Sequence, residues 1–273
     1  TKDDYVQIPA HEVAEIKEVD DATFYQMLGV YLGDGCGGEV NNNRGIQITM
    51  SKDSELPVLK HFSDYVASSY SRITHQNSPA TVQLTKTSGK YVITNNTLIE
   101  KFQSMVDLKL KSHEKQLSET LFALPLGAQK YLLQGLFTAD GTVAHYTDKA
   151  SYYVSLDSSS LQLLKDVQLM LLGFGIKSKL YKNRRAGKDT ALLPDGKGNL
   201  KEYSVREMHS LRISRSSRVR FGELIGFMPQ SLKQQKLQLI NDSTKAYEDK
   251  PFDAVDGLVY MGEETVYDLT EPQ

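Results

Sequence analysis

Two aspartates, Asp34 and Asp140, each close a short apolar segment, and the two segments are built alike. Met27-Leu28-Gly29-Val30-Tyr31-Leu32-Gly33-Asp34-Gly35 and Leu133-Gln134-Gly135-Leu136-Phe137-Thr138-Ala139-Asp140-Gly141 share apolar positions, small residues four apart and a terminal Asp-Gly. A helix places residues i and i+4 on one face. Gly29 with Gly33, and Gly135 with Ala139, therefore make two small-residue faces able to pack backbone to backbone. Such packing brings Asp34 and Asp140 side by side at a shared end, each followed by a glycine free to take the left-handed conformation with which helices often finish. Two carboxylates at that distance repel unless a cation lies between them, and hard oxygen donors suit magnesium. One copy alone reads as a packing device followed by a turn. Two copies with the acid in the same place point to metal chemistry.

The elements that must hold these acids repeat as well, which is the signature of an internally duplicated chain. After the first motif an alternating run at 46–52 precedes an amphipathic run at 56–60; after the second, runs at 152–157 and 161–165 do the same. Both read as strand then helix. Further on, the segment at 95–102 answers the one at 214–221. The offset between copies is 106 at the aspartates but 119 at Phe102 and Phe221, so the second copy holds about a dozen extra residues. They fall in the basic, glycine-bearing stretch 184–199, expected to be a long loop, and loops of that length are commonly functional or disordered. Each copy reads as helix, two strands, helix, two strands, helix. The predicted fold class is α+β: two pseudo-symmetric αββαββα subdomains packed through the motif helices and forming one concave β surface. The expected segments are an acidic stretch over 1–23, subdomains over 24–125 and 126–246, and a tail over 247–273.

A net charge of −2 by itself argues against a polyanion partner, and the distribution of charge reverses that inference. Residues 176–220 hold 13 Lys or Arg against 4 Asp or Glu, a surplus of 9 that leaves −11 for the rest. Basic and apolar residues alternate around Lys177, Lys179 and Lys182 and again at Arg212, which on strands puts the cations on one face, ready for phosphates and base edges. Arg184, Arg185 and Lys188 in the extra stretch are expected to touch phosphate. The first copy offers Arg44, Gln47, Thr49, Gln83, Thr85 and Lys86 for the same task, with fewer charges and more amides and hydroxyls. Acidic residues cluster near the other ends of the chain, including Asp3, Asp4, Glu12 and Asp20, away from that face.

The two motifs resemble those of the LAGLIDADG homing endonucleases, the second more closely. The resemblance implies paired motif helices at the interface of two subdomains and a metal-binding acid at the eighth motif position, here Asp34 and Asp140. It also implies that the carbonyls of the preceding residues, Gly33 and Ala139, join the metal shell. Two or three Mg²⁺ ions shared between the acids, double-strand hydrolysis of a long asymmetric DNA site and short 3′ overhangs follow from the same resemblance. A basic residue is expected near each acid, because a phosphodiester transition state gains charge on its oxygens. Lys52 is the candidate in the first copy, with Asp157 at the matching place in the second; Arg215 is the candidate in the second copy, where the first has Asn96. Two unequal active sites are the expectation.

The stretch 259–272 resembles the strand pair that opens the C-terminal splicing block of inteins. With no His-Asn pair after it and no Cys or Ser block before Thr1, the expectation is an intein-encoded nuclease that keeps a stub of its splicing partner. Cys36 is the one cysteine, which excludes an internal disulfide, and the six histidines lack zinc-site spacing. No apolar run reaches membrane-spanning length. A monomer located in the cytoplasm or nucleoid, with double-stranded DNA and no protein as its partner, is expected. The rival reading is a non-cleaving DNA binder or a maturase-like RNA-binding protein.

Overall fold

A computed structural model describes residues 5–7, 15–40, 43–70, 82–146, 148, 151–184, 187, 190–194, 199–249, 252–254, 259–260 and 262–263. The chain divides into two compact units, residues 1–10 with 250–273, and residues 11–249. In the smaller unit β1 (Tyr5–Gln7) pairs antiparallel with β12 (Phe252–Ala254), Tyr5 opposite Ala254.

The larger unit begins with α1 (Ala22–Asp34), which runs directly into the hairpin of β2 (Gly35–Val40) and β3 (Asn43–Ser51). Then come α2 (Lys52–Ser69), β4 (Gln83–Leu84), β5 (Ser88–Ile93), α3 (Asn96–Gln103) and the single turn α4 (Glu119–Phe122). The second copy starts at α5 (Leu126–Asp140) and continues through β6 (Gly141–Tyr146), β7 (Ser151–Ser158), α6 (Leu161–Leu172) and β8 (Lys179–Tyr181). It closes with β9 (Thr190–Pro194), β10 (Leu200–Ser204), β11 (His209–Ser214), α7 (Arg215–Leu224) and α8 (Leu232–Ser243). Both copies thus trace αββαββα. Their sheets share one antiparallel order, β2-β3-β5-β4 in the first and β6-β7-β11-β8 in the second.

The extra residues of the second copy differ from the expected loop. Thr190–Pro194 and Leu200–Ser204 pair as a separate antiparallel hairpin between β8 and β11, where the first copy joins β4 to β5 through residues 85–87. The two runs carry Leu192, Leu193, Leu200, Thr190 and Tyr203 and flank a glycine-bearing stretch, the arrangement of a hairpin with a longer turn.

Each sheet buries one face. In β3, Ile46, Ile48 and Met50 are buried while Gln47 and Thr49 point the other way, and in β11 Leu211 and Ile213 are buried while Arg212 and Ser214 are not. That two-residue period follows from strand geometry. The buried faces meet α2 and α1 in the first copy, where Phe102 of α3 packs against Phe24 and Tyr31 of α1, and α6 and α7 in the second. Between the copies lie α1 and α5, buried nearly all round, as expected of helices that pack against a sheet on each side and each other in the middle.

The small residues explain how closely those two helices approach. A Cβ added at Gly29 would stand 2.0 Å from the Leu132 carbonyl oxygen, and one at Gly135 would stand 2.0 Å from that of Gln26. At Gly33 it would meet the Ala139 Cβ at 2.6 Å. Gln26 Nε2 donates to Gln134 Oε1 across the same interface (2.6 Å), so the buried amides satisfy each other.

Candidate active site

The two motif helices end together, and both hand their chain straight to a strand. Gly35 (φ −91°, ψ 151°) and Gly141 (φ −75°, ψ 151°) are extended, not left-handed as the Asp-Gly pairs suggested. Glycine is needed there for space instead: a Cβ would fall 2.6 Å from the Tyr31 carbonyl oxygen at Gly35 and 2.3 Å from that of Phe137 at Gly141.

Asp34 and Asp140 face each other across the helix contact. The Gly33 Cβ position lies 3.1 Å from Asp140 Oδ2, so the second carboxylate rests against the last turn of the first helix. Burial, and then the charge of Asp34, raise the Asp140 carboxyl to about 7, with Lys115 and Lys233 opposing and Asp157 adding to the rise. Asp34 keeps solvent-exposed area but stands among dense protein atoms. That loss of water raises its carboxyl above the ordinary range, Glu55 adds to it, and the same two lysines oppose.

Those lysines were not among the candidates read from the sequence. Lys115, 5% exposed, donates its ammonium hydrogens to the carbonyls of Tyr31 (3.0 Å), Gly33 (3.1 Å) and Gly35 (2.9 Å). Lys233 donates to those of Thr138 (2.6 Å) and Ala139 (2.9 Å). A helix C-terminus leaves carbonyls without partners and carries partial negative charge, so a cation is favoured there. Lys115 and Lys233 stand 118 residues apart, within one residue of the 119 that separates Phe102 from Phe221. Carrying the internal repeat past those phenylalanines would have found both.

Each lysine is tied to the opposite copy. Lys233 forms an ion pair with Glu55 of α2 (2.8 Å), a carboxylate only 5% exposed. The backbone around Lys115 is held by α6: Ser160 Oγ donates to the Lys115 carbonyl (2.6 Å) and the Leu117 amide donates to Asp166 Oδ2 (2.9 Å). Burial lowers the Lys115 ammonium's pKa, and Asp140 and Asp34 counter it.

The structure distributes the other candidates as follows. Lys52 opens α2 and is not among the groups that shift either carboxyl. Gly35 pairs with Ile48 and Gly141 with Leu156, so the residue matching Asp157 is Thr49 and not Lys52. Arg215 follows Ser214, which pairs with Tyr153, three residues along β7 from the Leu156 that pairs with Gly141; it lines a cavity at that far end. Gln47 and Thr49 share the exposed face of β3 and a hydrogen bond (3.2 Å), next to Lys90 of β5, which pairs with Thr49 and Gln83. Thr85 is engaged in a turn, accepting from the Ser88 amide at 3.0 Å. Lys86, Lys179, Lys182 and Arg184 are exposed, and Lys177 donates its amide to Ser217 Oγ (2.9 Å). Arg212 lies on the face of Lys179. Arg185, Lys188 and the side chain of Arg44 lie outside the described residues, as does most of the stretch at 259–272.

Two carboxylates and adjacent backbone carbonyls are hard oxygen donors. Among the described residues no third Asp, Glu, His or Cys completes a cluster able to hold a metal. That set fits a small divalent cation that keeps several of its waters, as Mg²⁺ does, better than a fully protein-caged ion. A carboxyl raised to about 7 by burial first and by a neighbouring carboxylate second is the electrostatic condition that such a cation relieves.

The paired helices and two like sheets define a mixed α/β, two-copy architecture of the LAGLIDADG meganuclease type. The homing endonuclease I-DmoI, solved with DNA and calcium, superposes with a TM-score of 0.50 at 14% identity, covering 81% of this chain and 97% of that one. Residues 128–226 match the LAGLIDADG-like domain. The chain is also 30% identical over 166 residues to the NrdEB alpha chain of ribonucleoside-diphosphate reductase from Bacillus subtilis, a span of 59% of this chain and 15% of that protein. It is 29% identical over 177 residues to the replicative DNA helicase DnaB of Synechocystis, 59% of this chain and 19% of that protein. The chain therefore spans less than a fifth of either relative. Among the described residues no helix is long and apolar enough to cross a membrane.

Proposed function

We propose that this protein is a site-specific, metal-dependent DNA endonuclease of the homing type. The observation that carries the reading is the pairing of Asp34 with Asp140 at the ends of two touching helices, each end gripped by a lysine. Asp34 and Asp140 would hold the cation; the Gly33 and Ala139 carbonyls already accept from Lys115 and Lys233, so each would join the metal shell only through its second lone pair. A bound Mg²⁺ supplies Lewis-acid stabilisation of the phosphate oxygens and a more acidic water. Lys115 and Lys233 fix the geometry of the helix ends and place positive charge where a phosphodiester gains negative charge. The exposed faces of β3 with β5 and of β7 with β11 form the DNA surface, Gln47, Thr49, Lys179 and Arg212 meeting base edges and the basic residues from Lys177 to Lys188 meeting phosphate. A long asymmetric site accords with two unequal copies, and short 3′ overhangs belong to the same reading.

The intein-encoded reading has support of its own. Segments from the two ends of the chain make up one compact unit, with residues 11–249 between them. The relatives are a reductase and a helicase, unrelated in activity, and each matches this chain over a small share of its length. A module shared in that way behaves as an inserted element.

The test is cleavage selection from a plasmid library of randomised sites, with Mg²⁺ and with EDTA. Recovery of one long sequence cut in both strands only with Mg²⁺ is expected. Tight binding to a recovered sequence without any cut would instead make the protein a non-cleaving binder.

A further inference from the structure

A cavity of about 600 Å³ opens at the far end of the second sheet, between the start of β7, the end of β11 and the segment after α8. Five of its lining residues are cationic, Lys179, Arg212, Arg215, Arg218 and Lys245, and none is a carboxylate. Asp242 and Glu248 flank the lining run Ser243–Tyr247 in sequence without being part of it or pairing with any of the five cations, and Asp249 is turned to the start of α7, where it accepts from Ser216 Oγ (3.0 Å) and the Ser217 amide (2.8 Å).

Arg218 is the most telling of the five, being 2% exposed. Its guanidinium donates to Asn241 Oδ1 (2.8 Å), Thr244 Oγ1 (2.9 Å) and the Tyr152 carbonyl (3.5 Å), all neutral acceptors. A buried charge without an opposite charge is costly, and among the described residues no ion pair to any of the five cations is present. Arg212 lies between two aromatic faces, 4.5 Å from the Tyr153 ring centre and 4.6 Å from that of Tyr181, which fixes its plane, and its buried Nε has no hydrogen-bond partner. Arg215 holds φ at +57°, a conformation that non-glycine residues rarely adopt, as it enters the cavity wall. The molecule thus gathers cations, one wholly buried and one with an unmet donor, around a space bordered by tyrosine rings.

We propose that this cavity is a binding site for one phosphate group carrying its nucleoside, separate from the paired aspartates. The phosphate balances Arg218 and meets Arg215; the flat base lies against the exposed ring of Tyr247 and the edge of Arg212, which Tyr153 and Tyr181 hold in place. The same chemistry is offered by a nucleotide of a bound DNA strand and by a free mononucleotide. In the first case the site deepens the nuclease reading by anchoring DNA beyond the cutting centre; in the second it stands apart from it.

The test uses the full chain and needs no cleavage. Wild type, Arg215→Ala, the double variant Arg212→Ala/Arg215→Ala, and Arg218→Met are melted in dAMP and in inorganic phosphate at fixed ionic strength. Each is also titrated with a 30-base-pair duplex at several salt concentrations. For a DNA-strand source the double variant loses about 0.9 from the slope of log affinity against log salt, the value for one duplex phosphate, while dAMP leaves the melting temperature unmoved. For a free-nucleotide source dAMP raises the melting temperature of wild type and not of the double variant. In either case Arg218→Met, its fold checked by melting without ligand because Asn241, Thr244 and the Tyr152 carbonyl lose their donor, loses the ligand response. An unchanged salt slope together with no response to dAMP or phosphate overturns the site, whether or not the protein cuts DNA.

Discussion

The ends of α1 and α5 perform one task with different means. At α1, Lys115 gives its ammonium wholly to backbone carbonyls and to the field of the two aspartates. At α5, Lys233 divides its ammonium between carbonyls and the buried carboxylate of Glu55, a residue contributed by the other copy. Duplication has preserved the helix end, the acid and the lysine, while the surroundings have diverged. The centre is therefore symmetric in its acids and asymmetric in the charges around them. In the nuclease proposed here, that asymmetry gives the two DNA strands unequal rates.

The strongest way to break the comparison is to remove its shared part. Asp34→Asn or Asp140→Asn should each abolish double-strand cleavage, by at least about 100-fold, the scale on which a charge-stabilising group acts. DNA binding should persist or tighten, because one carboxylate no longer faces phosphate. Gel assays of supercoiled, nicked and linear plasmid check both, and full linearisation by either variant would remove that aspartate from the chemistry.

Packing comes next. Gly29→Leu and Gly135→Leu place a branched side chain where even a Cβ meets a carbonyl oxygen at 2.0 Å. Overpacking commonly costs about 1–3 kcal/mol and here should reach the upper end or beyond, because backbone and not a side chain must yield. Denaturant melts should show equal losses for the two variants, since the contact is reciprocal.

Lys233 and Lys115 sharpen the difference between the ends. Lys233→Met leaves Glu55 buried and unpaired, a change of about 3 kcal/mol in buried pairs generally. The added substitution Glu55→Gln should return most of that loss. Lys115→Met has no carboxylate partner to strand, so Glu55→Gln should not rescue it. A rescue of both, or of neither, in melting measurements would show the two ends to be equivalent.

The smallest effect is a pH dependence. The Asp140 carboxyl, raised to about 7 in the folded chain, starts from an unfolded value of about 3.9. The folded state therefore binds the proton more tightly. Its stability is greatest below the unfolded value and falls as pH rises towards 7. Asp140→Asn removes this penalty and should raise stability by about 1–2 kcal/mol above pH 7, with the gain shrinking towards pH 4. A divalent cation should produce a similar gain in wild type alone. Melting curves across that range, with and without Mg²⁺, measure both.

Much of this was legible in the residues because it is periodic. The small residues at 29, 33, 135 and 139, the alternation in β3 and β11 and the offset between copies are linear signals, and each maps onto a helix face or a strand face by geometry alone. The hairpin formed by Thr190–Pro194 and Leu200–Ser204 has the sequence of a loop, its strands short and its glycines conspicuous, and only the pairing of Thr190 with Ser204 reveals it. The lysines were missed because they reach the acids through space. Lys115 lies 81 residues after Asp34, on a segment without regular structure, and its ammonium finds the helix end only after the chain has folded back.

Alone, then, the sequence determined two copies of one unit, the helices that join them, the two acids at their ends and the alternation that turns Arg212 away from the core. Each of these is set by local spacing, which the backbone converts directly into direction. Tertiary structure decided which cations stand beside the acids, that Glu55 crosses to Lys233, and that Arg212, Arg215 and Arg218 converge on one cavity. Those depend on distances between residues remote in the chain, and only the packed core fixes such distances.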